Sequence, residues 1–436
     1  MEILVNRTTK FTSNPGNKAK RLLIVQYAGD YREAYYRLRQ GGEETYYAQR
    51  YSVNLTLEYK NHCQEVGVLV LHTDEVYDEV LPDAIRAIGA GFKNNQIDNR
   101  QLLNLVSRFR PTHLVVCTPY PPLLQWAIRH RVRTLVVLAD SFEQGGFKQQ
   151  IKKYWLSRLL NNPWIDWVAN HGINSAKSLQ AIGVDPNRII PWDWPAVVTP
   201  FAFEPKSHIA TPDQINLLFA GAVQQSKGIG DVFKAISLLK RRGSQVWLKV
   251  AGEGQIEEFK RESQRLGIHE NVEFLGLVPH QQVVHLMREA DVVLVPSRHD
   301  YAEGLPMTIY EGLCSRSPIV ASDHRMFDER LQHEVNALIF PAGDVVALAD
   351  CIDRLYFSPT LYHQLSVASA AAWENLQITV KRGELIEHWL SDLPDDRRWL
   401  FEHRLSSTHY TKVPEASPNP PLLPVPTQSI SVSMSR

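Results

Sequence analysis

Two carboxylates and a proline frame the most informative stretch of the chain, Pro296-Ser-Arg-His-Asp-Tyr-Ala-Glu-Gly-Leu-Pro-Met-Thr-Ile-Tyr-Glu-Gly312. The apolar run that ends at Val295 reads as a buried strand, and a polar loop follows it. Pro306 suits the first position of a helix, where its missing N–H is no loss. The N–H groups of Met307 and Thr308 then lack partners within the helix, and such a helix start attracts phosphate. Glu303 stands in the loop before the helix, and Glu311 lies about 7 Å further along it, at ~1.5 Å per residue. Flanking an anion-binding helix start, the two carboxylates could grip hydroxyls on two sugars. The plainer reading of the same residues is a capped helix with two solvated glutamates.

Two further loops have the same strand-to-helix setting. In Phe219-Ala-Gly-Ala-Val-Gln-Gln-Ser-Lys-Gly228, Gly221 permits close approach of backbone to a ligand and Lys227 can neutralise a diphosphate. Taken alone, a lysine in such a loop is more often merely solvated. Val250-Ala-Gly-Glu-Gly254 is a glycine-rich turn, but it is not G-x-G-x-x-G, so a dinucleotide site is not supported.

These loops need a rigid frame, and the apolar runs supply one. Arg21–Gln26, Val66–Leu71, His113–Cys117, Thr134–Leu138 and Trp167–Ala169 read as buried strands. A long helical pattern over 43–62, and others over 99–109, 123–130 and 149–160, separate them. Pro191, Pro195, Pro200, Pro205 and Pro212 mark a stretch without sustained period, read as a linker over 196–214. The alternation restarts with strands over 215–220, 246–251, 272–275, 292–295, 318–321 and 337–340. Asp231 can cap a helix that stops at Gly243. The fold expected is α/β: two doubly wound, parallel-sheet, Rossmann-like domains facing each other across a cleft. The divisions are an extension over 1–20, a first domain over 21–195, a second over 215–385, helices over 386–410 packing back on the first, and a Pro/Ser-rich disordered tail over 411–436.

The 436 residues carry 47 basic and 47 acidic side chains, so the balance argues against a chain-wide polyanion binder and no nucleic-acid partner is expected. The four cysteines, Cys63, Cys117, Cys314 and Cys351, include no C-x-x-C pair, which excludes a disulfide scaffold and fits a reducing, cytoplasmic setting. No apolar run approaches the ~20 residues that span a bilayer. Met1–Lys20 is polar without an apolar signal core. Between Lys148 and Arg158, Lys152, Lys153, Tyr154 and Trp155 could dock on an anionic membrane or a lipid-linked acceptor, at its inner face; the bland alternative is a solvated helix face. His171 and His299 could line the cleft.

The ordered set Gly221…Lys227-Gly228, Gly252-Glu-Gly254, Phe274-Leu-Gly276, Ala290-Asp-Val…Pro296-Ser297 and Glu303-Gly-Leu-Pro…Glu311-Gly312 resembles the donor-nucleotide domain of a family 4 glycosyltransferase of the two-Rossmann, GT-B architecture. It covers roughly 216–349. The resemblance implies a retaining transferase that takes a nucleotide sugar, a UDP- or GDP-sugar, as co-substrate, has no other cofactor, and acts on a hydroxyl acceptor. By the same resemblance Glu303 contacts donor-sugar hydroxyls, Glu311 holds the ribose and Lys227 the diphosphate. Gly221, Gly228, Gly252, Gly254, Leu305, Met307 and Thr308 complete the donor site. Arg21–Leu71 resembles the family's start of strand, Gly-Gly loop, helix and strand, which implies that Gly41 and Gly42 approach donor phosphates or acceptor. The chain departs from the family pattern at three places. Ala222 stands where an arginine is common, Ala139 stands where many relatives have a histidine, and Trp192-Asp-Trp-Pro195 replaces an Asn-Gly turn. Asp140 is the candidate for a role related to that histidine. No D-x-D motif is present, so no metal is required by the sequence.

Two rivals share these residues. One is a two-Rossmann epimerase or phosphorylase. The other is a nucleotide-sugar-binding or partner subunit without turnover, in which Ala139 and Ala222 mark a degenerate active site.

Overall fold

The computed structural model describes residues 20–27, 29–93, 96–142, 147–211 and 213–411. The expected extension over 1–20, apart from Lys20, and the expected tail over 411–436, apart from Thr411, lie outside the described residues. So do the side chains of Phe147, Lys148 and Thr411.

The N-terminal domain is built on β1 (Arg21–Gln26), β2 (Glu65–Val70), β3 (Val76–Val80), β4 (Ile85–Ala90), β5 (His113–Val116), β6 (Arg133–Leu138), β7 (Ile165–His171) and β8 (Ile189–Trp192). They form an eight-stranded sheet in the order β3-β4-β2-β1-β5-β6-β7-β8, parallel throughout except for β3. In β1, Leu22 and Ile24 enter one hydrophobic core while Leu23 and Val25 enter another, on the opposite face. Helices cover both faces, which is why the strand reads as an unbroken apolar run.

The C-terminal domain has β9 (Ile215–Ala220), β10 (Val246–Ala251), β11 (Val272–Gly276), β12 (Val292–Val295), β13 (Ile319–Ser322) and β14 (Leu338–Phe340). Their order is β11-β10-β9-β12-β13-β14, all parallel. Counted within the domain this is the doubly wound order, which reverses between β9 and β12, and ligands in such sheets bind beyond the carboxyl ends at the reversal. The loops after β9 and β12 are those that carry Lys227 and Glu303.

Two helices follow β1: Tyr31–Arg39, which was not expected, and Gln49–Glu58, which with the 3-10 turn Tyr59–Asn61 is all that forms of the helix expected over 43–62. Asp30 caps the first by accepting from the Glu33 N–H at 3.1 Å. Gly41 and Gly42 therefore come one helix after β1, and the turn that directly follows the strand holds Gly29. The β3–β4 hairpin was not expected. Nor was β8, where Pro191 is tolerated because the strand lies at the sheet edge.

The domains are joined twice. The chain leaves the first after Trp192, and 196–214 packs on the second: the Pro200 carbonyl accepts from Arg316 Nε at 2.9 Å, and the Ala290 carbonyl from Lys206 Nζ at 2.6 Å. It returns at Ile378–Arg382, where Lys381 forms a parallel bridge with Asp193. The helix Arg382–Ser391 then buries Leu385, Ile386, Trp389 and Leu390 in an N-terminal core. Trp389 Nε1 donates to Asp166 at 2.8 Å, and Arg133 pairs with Asp392 at 2.7 Å.

Asp193, 1% exposed, pins this junction. Its carboxylate lies 3.1 Å from His171 Nε2, accepts from the Trp194 N–H at 2.8 Å and from the Tyr310 hydroxyl at 3.3 Å, and sits 3.5 Å from Lys381 Nζ. Burial opposes the charge, but these partners together hold the carboxyl below its ordinary range.

Candidate active site

The two switch-point loops touch. Gly228 adopts a left-handed conformation (φ 80°), and a Cβ there would meet the Pro296 carbonyl at 2.1 Å, so only glycine fits. This contact sets Lys227 beside the loop after β12. Lys227 Nζ lies 2.5 Å from Glu303 Oε2, and Ser297 Oγ donates to the same oxygen at 2.8 Å. The ammonium also sits 4.6 Å from the centre of the Tyr301 ring. Glu303 is 7% exposed, which excludes the solvated-glutamate reading; a carboxylate buried this far needs its cation. Arg298 braces the loop through two bonds to the buried Asp231, at 2.7 and 2.5 Å. Asp231 is thus not a cap: Gly228 begins the helix Ile229–Arg241, and Asp231 lies inside its first turn.

Pro306 caps the helix Met307–Ser315, one residue earlier than its expected place within it. Met307 and Thr308 remain the first-turn residues whose N–H groups have no partner inside the helix. The Ile309 N–H bonds back to Pro306, and the Thr308 hydroxyl donates to the Ala220 carbonyl at 3.2 Å, at the end of β9. Gly221, next along, has nothing within 4 Å of where a side chain would start. Gly252 differs: a Cβ there would stand 1.9 Å from the Gly221 carbonyl. Gly254 bridges Val223 in the same way. These two hold the loop after β10 against the loop after β9, and Gly221 is the open member of the group.

Glu311 is also buried, in the second turn of the same helix, with Oε1 3.1 Å from His280 Nδ1. Burial raises its carboxyl above the ordinary range, partly opposed by His280. Burial likewise works against charge on His280, but the Glu311 partner outweighs it and the imidazole is raised. Met307, Tyr310, Glu311, His280 and Tyr47 share a cavity of about 20 Å³, room for roughly one water.

The N-terminal domain closes the other side. Gly304 packs on the loop after β6, where a Cβ would be 2.7 Å from the Ala139 carbonyl, and Leu305 packs on Gly172 after β7. Asp140 is reached by water yet walled by the cleft, and that partial burial pushes its carboxyl up. Gly42 folds onto Arg37, and its carbonyl accepts from Arg50 at 2.9 Å; a few residues on, the Glu44 carbonyl accepts from the His280 N–H across the cleft, at 3.1 Å. His171 does not line the cleft but lies buried on Asp193. His299 pairs with Asp323 at 3.2 Å and stacks on His324.

Thus Lys227 and Glu303 meet directly, Thr308 and the glycine loops gather around the end of β9, and Gly304 and Leu305 meet Ala139 and Gly172 across the domain boundary, with Asp140 next to Ala139. Glu311 stands apart in its own pocket. Sequence reasoning missed Tyr301, Arg298, His280 and Tyr47. Of these, His280 had the plainest signal, a histidine directly after Pro279 at a helix start. Ser297 was quoted within a motif without a role.

Two doubly wound sheets face each other across a cleft, with a cation and an open helix start at the reversal of the second: this is the GT-B architecture. Residues 201–371 match the family model described as glycosyl transferases group 1. The amylovoran biosynthesis glycosyltransferase AmsK of Erwinia amylovora is 27% identical over 162 residues, 36% of this chain and 40% of its own. The chain thus spans about two fifths of the length of curated relatives of this kind. The sucrose-phosphate synthase of Thermosynechococcus elongatus shares the fold with a TM-score of 0.62 at 15% identity, over 88% of this chain and 99% of that one. HepE of Anabaena, in complex with UDP and glucose, gives 0.62 at 16% identity, over 86% and 100%.

Proposed function

We propose that the chain is a glycosyltransferase that moves a sugar from a nucleotide-sugar donor to a hydroxyl acceptor, with retention at the anomeric carbon. The observation that carries this reading is the convergence of Lys227, Glu303 and the Pro306–Thr308 helix start at the β9/β12 reversal, beneath the N-terminal loops at Ala139 and Gly172. The diphosphate lies over the Met307 and Thr308 amides beside Lys227, with Gly221 leaving room for its approach. Glu303 takes hydroxyls of the donor sugar, and Glu311 takes the ribose. As the bond from the anomeric carbon to the diphosphate oxygen breaks, its electrons pass to that oxygen, and Lys227 with the two amides stabilises the charge. The acceptor oxygen bonds to the anomeric carbon from the same face and gives its proton to the departing phosphate. Asp140 faces this step from the N-terminal side. The protein's own cation and helix start supply the countercharge, which supports a metal-independent reaction. Among donors, the HepE complexes with UDP and UDP-glucose favour a UDP-sugar over a GDP-sugar.

The acceptor side has one distinctive surface. The helix Phe147–Leu160 turns Ile151, Tyr154 and Trp155 to solvent, next to exposed Lys152 and Arg158. Aromatic rings and cations together suit a bilayer surface of negative charge. We read this as peripheral contact at the cytoplasmic face, with a lipid-linked acceptor. No helix among the described residues is long and apolar enough to cross a membrane.

The test is ligand-observed NMR with UDP-, GDP- and ADP-sugars on wild type and Glu311→Ala. One donor class should bind, and Glu311→Ala should weaken it about tenfold or more, the worth of bonds to a charged group. The anomeric coupling constant of the product then reports retention or inversion. No binding by folded wild type overturns the reading. Binding with neither hydrolysis nor transfer would mean a binding subunit, the reading that Ala139 and Ala222 favour.

A further inference from the structure

We propose that His280 is the positioning residue that presents Glu311 to the ribose hydroxyls of the donor, and that the N-terminal segment Glu44–Tyr47 holds His280 in place. The inference rests on the donor reading above and adds to it a residue from each domain.

The argument begins with what Glu311 needs. Two vicinal hydroxyls are donors, so they require a carboxylate with free acceptor positions, held in one orientation. Glu311 lies beside Val284, Cys314 and Trp373, which offer no charge to keep it ionised or fixed. His280 Nδ1 meets only Oε1, at 3.1 Å, and leaves Oε2 for a ligand. A hydrogen bond to a charged group is the stronger kind, and it fixes the carboxylate plane as well as its ionisation.

The imidazole is itself fixed, chiefly from the other domain. Its backbone N–H, the first of the helix His280–Glu289, donates to the Glu44 carbonyl at 3.1 Å. The Tyr47 ring meets it edge to face, with centroids 4.8 Å apart at 74°. Tyr47 is anchored in turn, its hydroxyl donating to the Pro195 carbonyl at 2.8 Å. The Glu44 side chain accepts from the Arg50 N–H at 2.6 Å, which ties the segment to the start of the helix Gln49–Glu58. A chain of contacts thus runs from an N-terminal helix through Glu44 and Tyr47 to His280 and ends on Glu311.

The alternative is that His280 merely satisfies a buried carboxylate. The two roles differ in what they do to nucleotide recognition. A positioning residue acts on the bond between Glu311 and the ribose, so its loss erases the preference for ribose over deoxyribose. A structural residue weakens every nucleotide alike.

The experiment is calorimetric titration of the full chain with UDP, GDP and their 2′-deoxy forms, on wild type, His280→Ala, His280→Asn and Tyr47→Ala. Wild type should prefer the ribonucleotide by about tenfold, the worth of a charge-assisted bond. His280→Ala should abolish that preference with the 2′-deoxy affinity unchanged, which also shows that the variant is folded. His280→Asn places an amide donor near the Nδ1 position and should restore it. Tyr47→Ala should reduce it. Should His280→Ala weaken both forms equally, or keep the full preference, the inference is overturned while the donor site stands. If folded wild type binds neither UDP nor GDP, the donor reading falls and this inference falls with it.

Discussion

A lysine that touches a carboxylate has two duties, and Lys227 shows both. It balances Glu303, and its position beside the helix start fits it to take up charge on a leaving diphosphate. Lys227→Met should lower turnover about 100-fold, the scale of a lost transition-state donor, in a continuous transfer assay. It should also cost about 3 kcal/mol in denaturant unfolding, because Glu303 is left buried without its cation. Glu303→Gln keeps the contact with Ser297 and should unfold nearer to wild type while losing sugar recognition. Both residues stood out in the sequence by type and place, but their contact did not: they are 76 positions apart. Arg298 was harder still, since its partner Asp231 lies on a distant helix and it belongs to no local pattern; His280 had a local signal at its helix start, but nothing local that named Glu311 as its partner.

At the scale of elements, the strands that were legible are those buried on both faces, because an unbroken apolar run has few other meanings. The helix Tyr31–Arg39 was not seen, although its buried residues, Tyr31, Ala34, Tyr35 and Leu38, keep a helical spacing; their tyrosines made the stretch look polar. β3 has one buried residue, Tyr77, and β8 contains a proline, so neither looks like an interior strand. The helix Arg382–Ser391 invites a test of its own. Glu387 is partly withdrawn from water near Glu58 and Glu384, and burial first, then their charge, pushes its carboxyl up to about 7. The folded chain then holds this proton where the unfolded chain has lost it. Stability is therefore fullest below the ordinary value of 4.5 and falls as pH rises through about 7. Glu387→Gln should raise the melting temperature at pH 8 by roughly 2 °C, a gap that narrows toward pH 5 in scanning calorimetry.

For the whole molecule, the two-domain plan was legible from the restart of strand–helix alternation after the prolines. The Asp193 junction was not, because its partners come from β7, from the helix Met307–Ser315 and from the returning chain. The surface that includes Tyr154 and Trp155 was legible as composition, and the structure adds that both rings are more than half exposed. Sedimentation with vesicles of anionic phospholipid tests it: wild type should pellet, and the Tyr154→Ser/Trp155→Ser double variant should remain largely in the supernatant with its melting temperature unchanged. Equal pelleting would leave this face an ordinary solvated one.

The return of the chain to its first domain has a consequence for biosynthesis. The core over the N-terminal sheet includes Ile378, Val380, Leu385, Ile386, Trp389 and Leu400, and Leu405 bonds to β8. A nascent chain that has emerged only as far as β8 lacks all of them. At about 5–20 residues per second, roughly 10–40 s pass before those side chains leave the ribosome. The second domain, whose strands lie between Ile215 and Phe340 and whose cores are closed by side chains as far as Leu376, is complete just before they emerge. The domain made first is thus completed last, and through that interval its uncovered sheet face is the part of the newborn protein most in need of a chaperone.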